Sequence, residues 1–349
     1  MVPAPGEPPR GARRNFSTDF SRSLVRYDDI LSGGVGKDGI PPIDNPRFVS
    51  VQDAEAWLSD TEAVFVVEAD GESKIYPVQI LMYHEIVNDR VGDTPVAVTY
   101  CPLCNTGLTF LRRVDGRELT FGVSGFLRFS NLIMWDRQTE TWWQQATGRA
   151  IVGELVGLDL ELYPMLMIPW KEAQGTYPDA DVLSRDTGHS RPYGRNPYSR
   201  YDSASEPFLY RGPQTPSEYE AMDRVLVVEV GEESQAFPYP VLEERRVVSD
   251  SVGGRPIVVF WEEGTASALD ASSVAGGRDV GSANAFFAEL DGRVAEFEVD
   301  NRGRLRDTAT NSVWSVSGRA VSGELEGDRL EPVTAIQHFW FSWTAFDPD

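Results

Sequence analysis

The chain has 349 residues, of which 41% are hydrophobic, enough to bury a substantial core in one or two domains. Its 32 basic residues stand against 54 acidic ones, a net charge of −22, so repulsion excludes nucleic acid and anionic membrane surfaces as partners. Two cysteines cannot build the multi-bridge framework of a small secreted domain, and no stretch approaches the roughly 18 consecutive apolar residues that span a bilayer.

Only Lys37, Lys74 and Lys171 are lysines, so arginine carries the rest of the positive charge. Together with the acidic excess this pattern points to a chain adapted to high salt, where self-repulsion is screened; the arginine bias of a GC-rich genome accounts for it equally well.

Residues 1–57 are rich in Pro, Gly and Arg and read as an N-terminal arm, extended or partly disordered. "RRNFS" from Arg13 imitates a twin-arginine export signal, but the polar "TDFSRSLVRYDD" follows where an apolar segment is required. The expectation is a soluble, cytoplasmic protein.

Residues 58–183 form a first unit and residues 221–349 a second, because one pattern occurs twice. "VFVVEADGESKIYP" from Val64 matches "VLVVEVGEESQAFP" from Val225, and the same offset of 161 carries Leu81 to Leu242, Asp89 to Asp250 and Pro95 to Pro256. Further on, "DRQTETWW" from Asp136 matches "DTATNSVW" from Asp307, and "GRAIVGEL" from Gly148 matches "GRAVSGEL" from Gly318. Each unit reads as short strands, such as "AVFVVEA", "PVAVTY", "ELTFGVSG" and "RPIVVFW", separated by Gly, Asp and Pro turns. Helical spacing is brief: "VQDAEAWLS", "PVQILMY" and "SANAFFAEL", the last opened by a serine cap. The fold class expected is mainly β (α+β), two pseudo-symmetric β-rich repeat units of antiparallel sheet with a few short helices. Between the units, residues 184–220 are dense in Arg, Tyr, Pro and Gly with no counterpart in the second unit. A segment that long and that aromatic reads as a packed cover rather than a linker.

Both cysteines fall in "TYCPLCNTG", as Cys101 and Cys104. In "HEIVNDRVGDTPVAVTYC", Gly92 and Asp93 make a Gly-first hairpin turn, and the register that sets Val91 opposite Thr94 also sets His84 opposite Cys101. Cys104, past Pro102, folds back toward the same point. Two thiols at C-x-x-C spacing with an imidazole suit a transition metal, Zn or Cu, held by Cys101, Cys104 and His84. His189 is the candidate fourth ligand, and His338, in the last strand, is less suited. Two other readings stay open: a redox-active dithiol, although "NTGLTFLRR" continues as strand and lends no helix dipole, or two small buried hydrophobes. The second unit has Arg245, Glu262 and Thr265 at the positions of His84, Cys101 and Cys104, which argues against purely structural cysteines and makes Arg245 and Glu262 an expected cross-strand ion pair.

"HEIVND", "VTYCPLCNTG", "SGFLRFSNLIMWDRQTETWWQQATGRAIVGE" and "YPDADVLSRDTGHSRPYGRNPY" together resemble the prokaryotic family catalogued as domain of unknown function 3179, strongly over Ala63 to Tyr201 and more weakly over the second unit. The resemblance implies no established activity. Many relatives look exported or lipid-anchored, which makes an extracytoplasmic location the alternative to a cytoplasmic one. Around the cysteines, Arg128, Asn131, Asp136 and Gln144 are candidates for a polar wall, with Arg191 and Tyr193 from the cover. Asp136 also has a purely structural reading as part of a turn ladder, since the second unit keeps Asp307, Thr310 and Trp314 without cysteine. The partner expected is a small molecule or a metal ion, and no phosphate loop, dinucleotide fingerprint or nucleophile elbow is present.

Overall fold

A computed structural model describes residues 6–290 and 292–347. The fold is mostly β, with several antiparallel sheets and a few short helices. No helix among the described residues is long and apolar enough to cross a membrane.

Three larger sheets and a two-stranded hairpin, Arg113–Val114 with Arg117–Glu118, make up the first half. In one, Ala63–Ala69 lies between Leu166–Pro169 and Glu72–Pro77, and Asp181–Leu183 adds to Glu72–Pro77 in the sole parallel pairing among these named strands. In the second, Ile86–Val91, Thr94–Cys101, Thr106–Leu111 and Leu162–Tyr163 follow one another. The third runs Ile30–Ser32, Phe121–Arg128, Asn131–Asp136, Trp142–Gln144 and Ala150–Val152. The first two sheets are joined by the helix Val78–His84, which Pro77 leads into with its fixed φ and which Glu85 ends at φ 59°.

The second half repeats this succession at the offset read from the sequence: strands Arg224–Val230 and Glu233–Pro238, helix Tyr239–Arg245, then strands Val247–Val252 and Arg255–Glu262. Arg246 closes its helix at φ 62°, in the place of Glu85. "SANAFFAEL", expected to be helical, is instead the strand Ser282–Phe287, paired with Arg255–Glu262 as Thr106–Leu111 pairs with Thr94–Cys101. All six of its residues are buried, and a segment covered on both faces carries no amphipathic period, so local spacing misjudged it.

The core runs across both halves. One cluster joins Phe65, Phe110, Phe121 and Trp143 to Ile336, Phe339 and Phe341, and another joins Val64, Ile168 and Trp170 to Phe260, Phe286 and Trp314. The arm packs as well: Phe16 and Phe20 set their rings 5.2 and 5.3 Å from Trp142, and Ile30–Ser32 pairs with Phe121–Arg128. Aromatic edge-to-face contacts of this kind hold a segment that has little regular backbone pairing of its own.

The connecting segment is seated by charge. Asp202, fully buried, takes Arg224 at 3.0 Å, Arg278 at 2.9 Å and the Ser267 hydroxyl at 2.5 Å, all from the second half. From that anchor the segment runs back over the first half, where Tyr193, Tyr198, Tyr201 and Tyr210 pack against the core.

Candidate functional site: a buried dithiol beside an unpaired carboxyl

Thr94–Cys101 ends at Cys101, and residues 101–104 close a tight turn in which the Cys104 N–H donates to the Cys101 carbonyl at 3.2 Å. Proline suits the second position of such a turn because its φ is already set, and the turn brings its first and fourth residues together. The two thiols are free, buried, and stand 4.0 Å apart. Burial raises the Cys101 thiol well above its ordinary value, and its hydrogen bond with Cys104 raises it further. The Cys101 thiol also points at the Ser130 carbonyl, 3.8 Å away.

Ser130 and Phe129 form the tip of the next hairpin, at φ 64° and 52°. Two successive left-handed residues are usual in such a turn, but Asn and Gly normally supply them; Phe and Ser there store strain, of order 1–3 kcal/mol each. The strained tip is tied to the cover, since the Ser130 hydroxyl donates to the Phe208 carbonyl.

The hairpin register read from the sequence holds, from Val91 opposite Thr94 to Ile86 opposite Thr99. It stops there because Glu85 turns left-handed and His84 belongs to the helix. His84 is therefore not a cross-strand neighbour of Cys101. Its Nδ1 donates to the Pro41 carbonyl at 2.7 Å, which leaves Nε2 to accept from the Tyr193 hydroxyl at 2.6 Å. Tyr193 in turn accepts from Thr187 at 2.6 Å, so each polar atom of the chain is satisfied with His84 neutral. Burial pushes His84 down to about 4. Both ring nitrogens are thus occupied, and among the described residues no three His, Cys, Asp or Glu side chains gather as a metal-holding group.

One residue after His84, against the end of the cysteine strand, stands Glu85. It is 7% exposed, its backbone carbonyl accepts the Tyr100 N–H at 2.8 Å, and its carboxyl is pushed well above the ordinary value, first by burial and then by Cys101. Among the described residues no cation and no hydrogen bond offsets that burial. Glu85 lines a cavity of about 360 Å³ together with Leu103 of the cysteine turn, Phe126, and Tyr198, Tyr201 and Phe208 of the cover. A bulge at Gly125 shapes one wall: a Cβ there would lie 2.4 Å from the Val35 carbonyl of the arm. The cover is pinned over the turn by the Tyr201 hydroxyl, which donates to the Leu103 carbonyl at 2.9 Å.

The other sequence candidates divide. Asn131 is buried in an amide network, accepting from Gln144 at 2.6 Å and donating to Gln145 at 2.8 Å, while Gln145 reaches Thr99 at 3.0 Å behind the cysteine strand. Asp136 accepts from the Thr139 amide at 2.6 Å and Trp143 Nε1 at 2.9 Å, and Asp307 holds Thr310 at 2.6 Å and Trp314 at 3.3 Å in the same way. The turn-ladder reading of Asp136 fits this repetition. Arg128 lies 4.1 Å from the Phe129 ring and 5.5 Å from that of Phe346, with its Nε buried and unpartnered among the described residues. His189 and Arg191 are exposed, and the His189 ring sits 5.6 Å from that of His84. His338 is buried with Nδ1 3.0 Å from the Thr106 hydroxyl.

The second half shows what became of the same position. Arg246, the counterpart of Glu85, reaches Glu262, the counterpart of Cys101, at 3.5 Å and the Gly303 carbonyl at 2.5 Å. The expected ion pair at Glu262 thus exists, but its partner is Arg246 rather than Arg245, because the helix again ends one residue before the strand. Glu85 was overlooked in the sequence for the same reason. The signal lay in the repeat, where Glu becomes Arg just as Cys becomes Glu.

No curated protein and no solved structure matches the chain. A family model does match it, over residues 37–349, and the chain therefore belongs to that family, described as protein of unknown function (DUF3179).

Proposed function

We propose that Cys101 and Cys104 form a redox-active dithiol whose proton is carried by Glu85. The observation behind this reading is the pairing of two free, adjacent thiols on a proline turn with a buried carboxyl that has no partner among the described residues. A turn holds its end Cα atoms within about 7 Å, and disulfides span about 4.4–6.8 Å, so closing the bond asks little of the backbone.

A buried thiol of raised pKa is a poor nucleophile until a base takes its proton. Glu85, whose carboxyl senses Cys101 through the buried site, can take that proton once it has given its own to solvent. With a small disulfide RSSR as the oxidant, Cys101 passes its proton to the Glu85 carboxylate and its sulfur attacks one sulfur of RSSR, expelling RS⁻, which takes the proton from Glu85. Cys104 then attacks the Cys101 sulfur of the mixed disulfide, its own proton leaving with the second RSH. The dithiol is oxidised, RSSR is reduced to two RSH, and Glu85 ends as it began.

Redox titration against glutathione buffers, read by alkylation and mass, tests this. One two-electron couple confined to Cys101 and Cys104, with Cys104→Ser arresting at a mixed disulfide on Cys101, is the expected result. Failure to form the intramolecular bond under any oxidising poise refutes it.

A second reading keeps the metal. The 4.0 Å separation also suits two thiolates on one Zn or Cu ion, which at metal–sulfur distances of about 2.3 Å stand close to 4 Å apart. His84 does not fit as the third ligand while both of its nitrogens are bonded. Elemental analysis of reduced, metal-reconstituted protein separates the two: one tightly held equivalent, lost in Cys101→Ser, favours the metal.

A further inference from the structure

The cavity beneath the cover contains chemistry that the dithiol does not use. Its volume, about 360 Å³, is that of a small-molecule site. Its walls are apolar and include four aromatic rings, Phe126, Tyr198, Tyr201 and Phe208, and among the described residues no Lys, Arg or His lines it and Glu85 is its one carboxyl. The neighbours that affect Glu85 electrically are Cys101, an acid like itself, and Tyr198, whose hydroxyl burial and Glu85 both hold protonated. The Tyr201 hydroxyl is committed to the Leu103 carbonyl and the Phe208 amide.

A buried acid without a partner is what an incoming cation would complete. We propose that this cavity binds a small apolar molecule bearing one ammonium group, the ammonium pairing with Glu85 and the apolar body lying among the aromatic rings. An anion is repelled by Glu85 and by a chain of net charge −22, which also draws cations toward it. A neutral carbonyl compound would gain one hydrogen bond from the protonated acid. An ammonium gains an ion pair in a water-poor site together with the attraction of aromatic faces for a cation. The proton count is simple: the ammonium binds as Glu85 releases its proton to solvent, or the free amine binds and takes that proton. Binding therefore tightens as pH rises for as long as Glu85 in the free protein holds its proton and the amine in solution stays protonated, and levels off once Glu85 ionises. The inference shares Glu85 with the dithiol reading but does not require the thiols to react.

The test is isothermal calorimetry with benzylamine, benzyl alcohol and acetophenone on the full chain, on Glu85→Gln, on the double variant Cys101→Ser/Cys104→Ser, and on Leu132→Trp, which fills the cavity. The wild type is expected to bind benzylamine at least tenfold more tightly than the isosteric alcohol, increasingly so as pH rises above the ordinary carboxyl range until Glu85 ionises in the free protein. Glu85→Gln loses that preference while binding the alcohol as the wild type does, which shows that its cavity is intact. The thiol-free protein keeps the preference, so failure of the redox chemistry leaves this result standing. Leu132→Trp abolishes binding of all three probes. Equal or tighter binding of either neutral probe, an undiminished preference in Glu85→Gln, or no binding of any probe overturns the proposal.

Discussion

Replacing Glu85 by Gln removes the titrating proton and leaves the size of the side chain almost unchanged. In the folded protein burial and Cys101 hold the Glu85 proton to a higher pH than the ordinary carboxyl value of 4.5. Below that value both folded and unfolded chains are protonated, and the residue does not affect the balance. Above it the unfolded chain loses the proton first, so the wild type loses about 1.4 kcal/mol of stability per pH unit until the folded-state value is passed. Gln loses nothing in that window, and two pH units amount to about 3 kcal/mol. The extra N–H of Gln, if left unpaired, costs about 1–3 kcal/mol, but that cost does not vary with pH, so the slope is informative and the intercept is not. Urea unfolding followed by tryptophan fluorescence, run on both proteins from about pH 4.5 to 7.5, measures the difference, and groups such as His84 and His338 cancel because both proteins carry them. A difference that stays flat over this range would show that the carboxyl is not desolvated, and with it the base for Cys101 and the anchor for a cation would both be lost.

Three further outcomes follow from the same contacts. Asp202→Asn strips the carboxylate from buried Arg224 and should destabilise by about 3–5 kcal/mol and speed the reaction of Cys101 with an aromatic disulfide; unchanged thiol kinetics would show that the cover does not govern access. Because burial holds His84 near 4 and His338 near 3, well below their ordinary 6.5, unfolding takes up protons on these two rings at acid pH; their own contribution is level above about pH 6.5 and turns destabilising below it, so the stability difference between wild type and His84→Gln should be flat above that pH and shift in favour of the variant below it in acid denaturation curves. Glu262→Gln, at a pair about one quarter exposed on each side, should cost on the order of 1 kcal/mol and leave the Cys101–Cys104 redox couple where it was; a shifted couple would mean that the second half takes part in the thiol chemistry.

The strand and turn pattern, the hairpin register and the closeness of the two cysteines were legible in the sequence, because each depends on residues only a few positions apart. Alternation along a strand, a Gly-first turn and a proline between two thiols have the same meaning in any context. What the local pattern misjudged is equally specific. Extending the register two residues past Ile86 put His84 opposite Cys101, but a left-handed Glu85 ends the ladder and turns the imidazole toward Pro41 and Tyr193. "SANAFFAEL" is a strand because both of its faces are covered by segments far away in the chain. The carboxyl beside the thiol, the aromatic walls from residues 198–208 and the arm that completes the cavity come from parts of the chain separated by tens to more than a hundred residues. Their meeting is a product of packing: a proline turn between two cysteines three positions apart already sets the thiols side by side, whereas the burial of Glu85 near them, without a partner among the described residues, arises from contacts between distant segments.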